Sequence, residues 1–107
     1  YTAYQTLAAQ LAGAAPAGRG PLNTHVYDPG AQLGAGGGVY DYRYTRGAAV
    51  IDVIWSPDRH GPARLPVAAG RSVALVALDG SVAPLTPSGG AVDIAIGAAP
   101  ILVVQTP

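Results

Sequence analysis

The 107-residue chain contains no cysteine, methionine or phenylalanine. Its six basic residues are all arginine and its six acidic residues are all aspartate, so lysine and glutamate are missing as well. Without cysteine, a disulfide framework and a thiolate metal site are both excluded. The formal net charge is zero, and there is no basic block of the kind that binds phosphate backbones or anionic lipid. We therefore expect no nucleic-acid partner and no membrane partner.

The lack of glutamate also bears on catalysis. Glycoside hydrolysis usually needs two carboxyl groups about 5 to 9.5 Å apart, and most aspartates of this chain lie in predicted turns or at outward strand positions. Asp52 differs because it interrupts the apolar run AVIDVIW at 49–55. We interpret it as an edge or interface carboxylate that meets an arginine, with a catalytic acid as the alternative.

Three further patterns invite a functional interpretation. Ser56, Asp58 and His60 are close together in SPDRHG, but no nucleophile elbow accompanies them, and a polar loop with a proline-initiated turn explains them better. His25 and His60 match no metal-ligand spacing. The glycine-rich run at 34–38 lacks the lysine and hydroxyl residue of a phosphate-binding loop. We predict no catalytic residue, no metal site and no cofactor.

The chain divides into a helical start and a long β-type remainder. Tyrosine and leucine recur at three- and four-residue intervals near the start, which predicts a helix within 1–15 that ends before Pro16. From 20–107, short apolar runs separated by glycine and proline predict an antiparallel β-sandwich with this helix packed on it. About eight short strands are expected, near 22–28, 39–45, 48–55, 63–67, 72–78, 81–86, 91–96 and 100–105.

Turn and proline positions refine this prediction. Arg46-Gly47 and Asp79-Gly80 indicate hairpins, and the second suits a two-residue turn with positive φ. Pro66 and Pro84 lie inside predicted strands and cannot donate a ladder hydrogen bond, so both strands should be edges or contain a bulge. In AVDIAI, at 91–96, alternation predicts that the valine and the isoleucines point to the core.

Three tyrosines occupy alternate positions of one predicted strand, at Tyr40, Tyr42 and Tyr44. They could form a platform for sugar rings or the covered side of a sheet. We favour the covered side, at a rim or domain interface, where the ring bodies pack and the hydroxyls reach water or a neighbouring helix. The opposite face of the strand should then face solvent, and it consists of Val39, Asp41, Arg43 and Thr45.

Several segments together resemble a known protein region. These segments are the helix YTAYQTLAAQLAGA, then VYDYRYTRG, AAVIDVIW, RSVALVALDGSVAPLTPSGGAVDIAIG and APILVV. Together they are similar to the C-terminal β-sandwich of TIM-barrel glycoside hydrolases of the large retaining clan, family 39-like or family 5-like. The likeness fails between His25 and Gly38. It implies that 1–15 is the last helix of a barrel absent from this chain, or the continuation of that helix, and that no catalytic residue carries over.

The resemblance implies a non-catalytic accessory domain, not itself an enzyme, that supports or caps a catalytic barrel. Its partner would be that barrel, and a secreted bacterial parent would place it outside the cell. The first alternative is a carbohydrate-binding module, with Tyr27, Asp28 and Trp55 as the candidate sugar-binding residues. The second is an immunoglobulin-like or fibronectin-like interaction module, against which the missing Cys-Trp-Cys spacing argues.

Overall fold

The computed structural model describes residues 2–23, 38–57 and 59–107. Within them lie one helix and eight strands. The elements are α1 (Thr2–Leu11), β1 (Ala15–Arg19), β2 (Tyr40–Arg46), β3 (Ala49–Trp55), β4 (Gly61–Pro66), β5 (Ser72–Ala77), β6 (Val82–Leu85), β7 (Ala91–Ile96) and β8 (Ile101–Thr106). The structure confirms the prediction of a mainly β, antiparallel fold with a single helix at its N-terminal side.

The strands form two antiparallel sheets. The larger has six strands in the order β1-β2-β3-β8-β5-β6, and the smaller consists of β4 and β7. Side chains of both sheets form the main core, because alternate residues of each strand point to the same side. That core contains Ile54, Leu65, Val73, Val92, Ile94, Ile96 and Val103. The alternation expected for AVDIAI is confirmed, since Asp93 and Ala95 are exposed.

The six-stranded sheet has a second buried cluster on its outer face, the face directed away from β4 and β7. This outer core consists of Ile51, Val53, Val76 and Leu102. Leu11, at the end of α1, packs against it. The Arg46 guanidinium fixes the helix end by donating to the carbonyl oxygen of Gln10 at 2.7 Å, which satisfies one of the free carbonyls that every helix leaves at its C-terminus. The described residues include no helix long and apolar enough to cross a membrane.

The first strand was not predicted. Pro16 was interpreted only as the residue before which the helix ends, but β1 (Ala15–Arg19) forms an edge of the larger sheet. At an edge, the N–H that proline lacks is not needed for pairing with a neighbouring strand. The strand expected at 22–28 is wrong at its described start, because Leu22 and Asn23 belong to no strand, and its remainder lies outside the described residues. The prediction for Pro66 and Pro84 is confirmed, since β4 and β6 are edge strands.

Both predicted hairpins form, with different loops. Arg46 pairs with Ala49, so the first loop has two residues and begins with Gly47 at a φ of 59°. In the second, the Gly80 N–H donates to the Ala77 carbonyl oxygen at 3.0 Å, and Gly80 has a φ of 93° while Asp79 has a negative one. This is a three-residue loop ending in a left-handed glycine, so the two-residue turn expected there was wrong.

Candidate functional site

Strand β2 sends two chemically different sets of side chains to opposite faces of the larger sheet. On the inner face, towards the main core, lie Asp41 and Arg43, beside Asp52 of β3; we call these three residues the inner polar cluster. On the outer face lie Tyr40 and Tyr42, beside Trp55 of β3; these three are the outer aromatic cluster. Each cluster is a candidate for function, and the β2–β3 register determines both.

An ion pair lies at the centre of the inner polar cluster. Arg43 and Asp52 are opposite each other in the β2–β3 register. The arginine donates from Nε to Oδ1 at 2.6 Å and from Nη2 to Oδ2 at 3.0 Å, a bidentate geometry that gives strong, oriented charge-assisted bonds. This hydrogen bonding raises the pKa of Arg43. The expected arginine partner of Asp52 is confirmed, but the edge location is wrong, because β3 lies inside the sheet.

Asp41 contradicts the expectation of a solvent-facing side chain. It is fully buried, because its face of β2 is the inner one and the corner formed by residues 20–23 covers it. Its Oδ2 accepts the Leu22 N–H at 3.0 Å, and its own N–H donates to the Asn23 side-chain oxygen at 3.1 Å. Gly20 lies so close that a side chain there would collide with the Asp41 carboxyl group. The other three residues of this face, Val39, Arg43 and Thr45, are half-buried rather than exposed.

Burial and charge both favour the protonated form of Asp41. Loss of solvent, and to a smaller extent the charge of the neighbouring Asp52, raises the pKa of its carboxyl group to about 7. The Leu22 N–H and the Arg43 charge act in the opposite direction but are weaker. A carboxyl group that is neutral near neutral pH can donate a hydrogen bond. Such a group can hold a proton, but full burial denies it contact with a substrate.

The outer aromatic cluster is built around the only tryptophan in the chain. The rings of Tyr40 and Trp55 are stacked, with centroids 4.8 Å apart and planes at 8°. Tyr42 is tilted by 35° to the indole at 6.1 Å. All three side chains are half-buried, as is Tyr44, which packs against the outer core. This partial burial agrees with the expected stripe of tyrosines at a rim or interface.

The structure describes few of the predicted site residues. Tyr27 and Asp28, two of the candidate sugar-binding residues, lie outside the described residues, as do His25 and most of the glycine run at 34–38. Trp55 is described; its ring contacts those of Tyr40 and Tyr42, and its side chain packs against the outer core.

The Ser56 loop has the structural role that was favoured for it. Ser56 is buried, its Oγ donates to the Gly38 carbonyl oxygen at 2.8 Å, and the same oxygen accepts the Arg59 N–H at 2.7 Å. His60 is exposed, and Asp58 lies outside the described residues. Among the residues that the structure describes, no group of three or more His, Cys, Asp or Glu side chains could hold a metal ion.

Sequence reasoning missed the inner polar cluster, although a signal for it was present. The two-residue loop at Gly47 places Arg43 opposite Asp52 and Asp41 opposite Ile54. Because opposite residues share a face, an apolar Ile54 in the core requires Asp41 to point inward as well. The corner that buries Asp41 gave no such signal, since residues 20–23 make their contacts across a large sequence separation.

No protein-family model and no curated protein sequence matches the chain.

Proposed function

We propose that the chain is a non-catalytic accessory β-sandwich domain of a glycoside hydrolase, which packs against the catalytic barrel through the outer face of its six-stranded sheet. The observation that carries this proposal is the half-buried aromatic cluster on that face. Tyrosine and tryptophan suit an interface because their rings supply apolar area while their polar atoms reach water or a partner. The resemblance to C-terminal domains of such hydrolases supports the identity of the partner.

The rest of the outer face supports an interface as well. At its centre Ile51 and Leu102 are fully buried, and α1 packs there through Leu11. At the opposite margin, Val82 of β6 pairs with Val76 of the outer core, so it lies on the same face. Val82 is 61% exposed and is the one large hydrophobic side chain among the described residues with such exposure. An apolar residue there gains free energy when a neighbouring domain covers it.

The geometry of the aromatic cluster favours support over sugar binding. A sugar ring stacks on an open aromatic face, and coplanar neighbouring rings extend such a platform. Here Tyr40 covers one face of the Trp55 indole, and the Tyr42 ring is inclined to it. The inner polar cluster, in turn, is occupied with internal hydrogen bonds. Both features suit a domain whose side chains hold structure together.

The first experiment uses the complete product of the gene that encodes this chain, with substitutions at the margin of the outer face. We expect Tyr42→Ala and Val82→Ser to lower the midpoint of thermal inactivation of polysaccharide hydrolysis. The matched control is Asp93→Ser, on the exposed side of β7, which should leave that midpoint unchanged. Equal effects of all three variants, or a gene product without hydrolase activity, would contradict the proposal.

The second experiment tests sugar binding by the isolated chain. Because Trp55 is the only tryptophan, its fluorescence reports directly on the aromatic cluster. Titration with xylan, mannan and cellulose oligosaccharides should leave the emission unchanged, and calorimetry should show no binding heat. A saturable change at millimolar or lower concentration would instead identify a carbohydrate-binding module.

A further inference from the structure

We propose that the inner polar cluster is a proton-dependent clamp, in which a proton on Asp41 fastens the corner at residues 20–23 to strand β2. The corner joins edge strand β1 to the rest of the chain, and Asp41 is the residue of β2 that it contacts most closely. Three hydrogen bonds make this attachment. They run from Leu22 N–H to Asp41 Oδ2, from Asp41 N–H to Asn23 Oδ1, and from Gly20 N–H to the Asp41 carbonyl oxygen.

The second carboxyl oxygen of Asp41 explains why a proton is needed. Oδ1 is buried and accepts no hydrogen bond, which is costly for an ionised carboxylate. The neighbouring Asp52 carboxylate is within hydrogen-bonding reach of Asp41, but two carboxylates cannot bond to each other without a proton. When Asp41 is a carboxylic acid, it can donate to Asp52 and still accept the Leu22 N–H. One proton therefore satisfies the atom that the structure otherwise leaves without a partner.

Charge balance leads to the same conclusion. Arg43 and Asp52 neutralise each other, so the cluster is neutral when Asp41 is protonated and carries one buried negative charge when it is not. Within 2–23, 38–57 and 59–107, Arg43 and Asp52 are the only charged side chains that act on Asp41. The corner contributes glycine, proline, leucine and asparagine at 20–23, and β4 and β7 direct apolar side chains into the core. The cost of a buried, unpaired charge falls as soon as the corner opens and admits water.

The pH range follows from the shifted titration. In the clamped state the Asp41 carboxyl group has a pKa of about 7, whereas in an opened corner it regains an ordinary value near 3.9. The clamped state therefore binds the proton more tightly. The equilibrium constant for closing the corner is therefore largest below about pH 4. It falls by up to about tenfold for each pH unit between pH 4 and 7, and it becomes constant above pH 7.

Nuclear magnetic resonance on the isolated chain tests the clamp at the atoms involved. The side-chain carboxyl carbon of Asp41 should titrate with a midpoint near pH 7, well above the ordinary aspartate value near 3.9. Amide exchange at Leu22, corrected for the intrinsic pH effect, should lose protection between pH 5 and 7, whereas Leu102 in the sheet centre should lose far less. A midpoint near 4 for Asp41, or equal losses at both amides, would overturn the proposal.

Asp41→Asn is the matched variant, since an amide can donate to Asp52 and accept from Leu22 at any pH. We expect its Leu22 protection to remain constant from pH 5 to 8, while Asp93→Asn keeps the wild-type profile. A wild-type pH profile in Asp41→Asn would contradict the clamp. Should Asp41→Asn fail to fold, the wild-type carboxyl titration still decides the question.

Discussion

The two faces of strand β2 carry different kinds of side chain, charged on the inner face and aromatic on the outer face, because side chains alternate between faces along a strand. The inner face buries charge, where Arg43 and Asp52 form a bidentate ion pair and Asp41 accepts the Leu22 N–H. The outer face carries tyrosines that are half-buried beside a fully buried apolar centre. Polarity alone would assign these faces the other way round, with the charged side outward. Which face is covered thus depends on tertiary contacts from the second sheet and from the corner at residues 20–23.

The largest expected effect comes from breaking the ion pair of the inner face. Arg43→Met leaves the fully buried Asp52 without its partner, and we expect a loss of about 3–5 kcal/mol in the free energy of unfolding. Urea denaturation at pH 6 measures this loss. The control is Arg64→Met, which removes an exposed pair with Asp93 and should cost less than about 1 kcal/mol.

A double variant sharpens the same comparison. Arg43→Met combined with Asp52→Leu replaces both partners with apolar side chains, and much of the lost stability should return because no unpaired charge remains at Asp52. A double variant as unstable as Arg43→Met alone would show that the pair is not the source of the loss.

A cavity at the centre of either face of the larger sheet should lower the free energy of unfolding by a similar amount. Ile54 belongs to the main core and Ile51 to the outer core, and both are fully buried. Truncation of either residue to alanine should cost about 2–5 kcal/mol in the free energy of unfolding. The control Val82→Ala, at an exposed position, should change it by less than about 0.5 kcal/mol. A small loss for Ile51→Ala alone would mean that the outer core contributes little in the isolated chain.

Much of the fold could be predicted because its signals are local. Each signal determines the structure of residues close to it in sequence. The signals are the alternation in AVDIAI, the glycines at both hairpins and the prolines of β4 and β6. Strand β1 could not be predicted in this way, since Pro16 and Gly18 are breakers by local rules and are tolerated only because β1 is an edge. The loop at Asp79-Gly80 has three residues rather than the two expected, and the residue types around the turn do not distinguish well between these two lengths.

The candidate site was less predictable than the fold. Hairpin counting from Gly47 is enough to pair Arg43 with Asp52, so that contact was available from the sequence. The burial of Asp41 was not, because it depends on backbone groups of Leu22 and Gly20 that are distant in sequence. A carboxylate in an alternating strand is normally assigned to water, and only the tertiary structure overrides that assignment.

The smallest expected effect concerns the aromatic stack of the outer face. Tyr40→Leu removes the ring that covers one side of Trp55 and should cost about 0.5–1.5 kcal/mol in the free energy of unfolding. The emission of Trp55 should move to longer wavelength, because the exposed face of the indole then contacts water. Tyr44→Leu is the matched control, since Tyr44 lies on the same stripe but packs against the outer core, and it should leave the emission in place. If the two variants shift the emission equally, the stack does not shield Trp55, and an open indole face would again favour sugar binding over support.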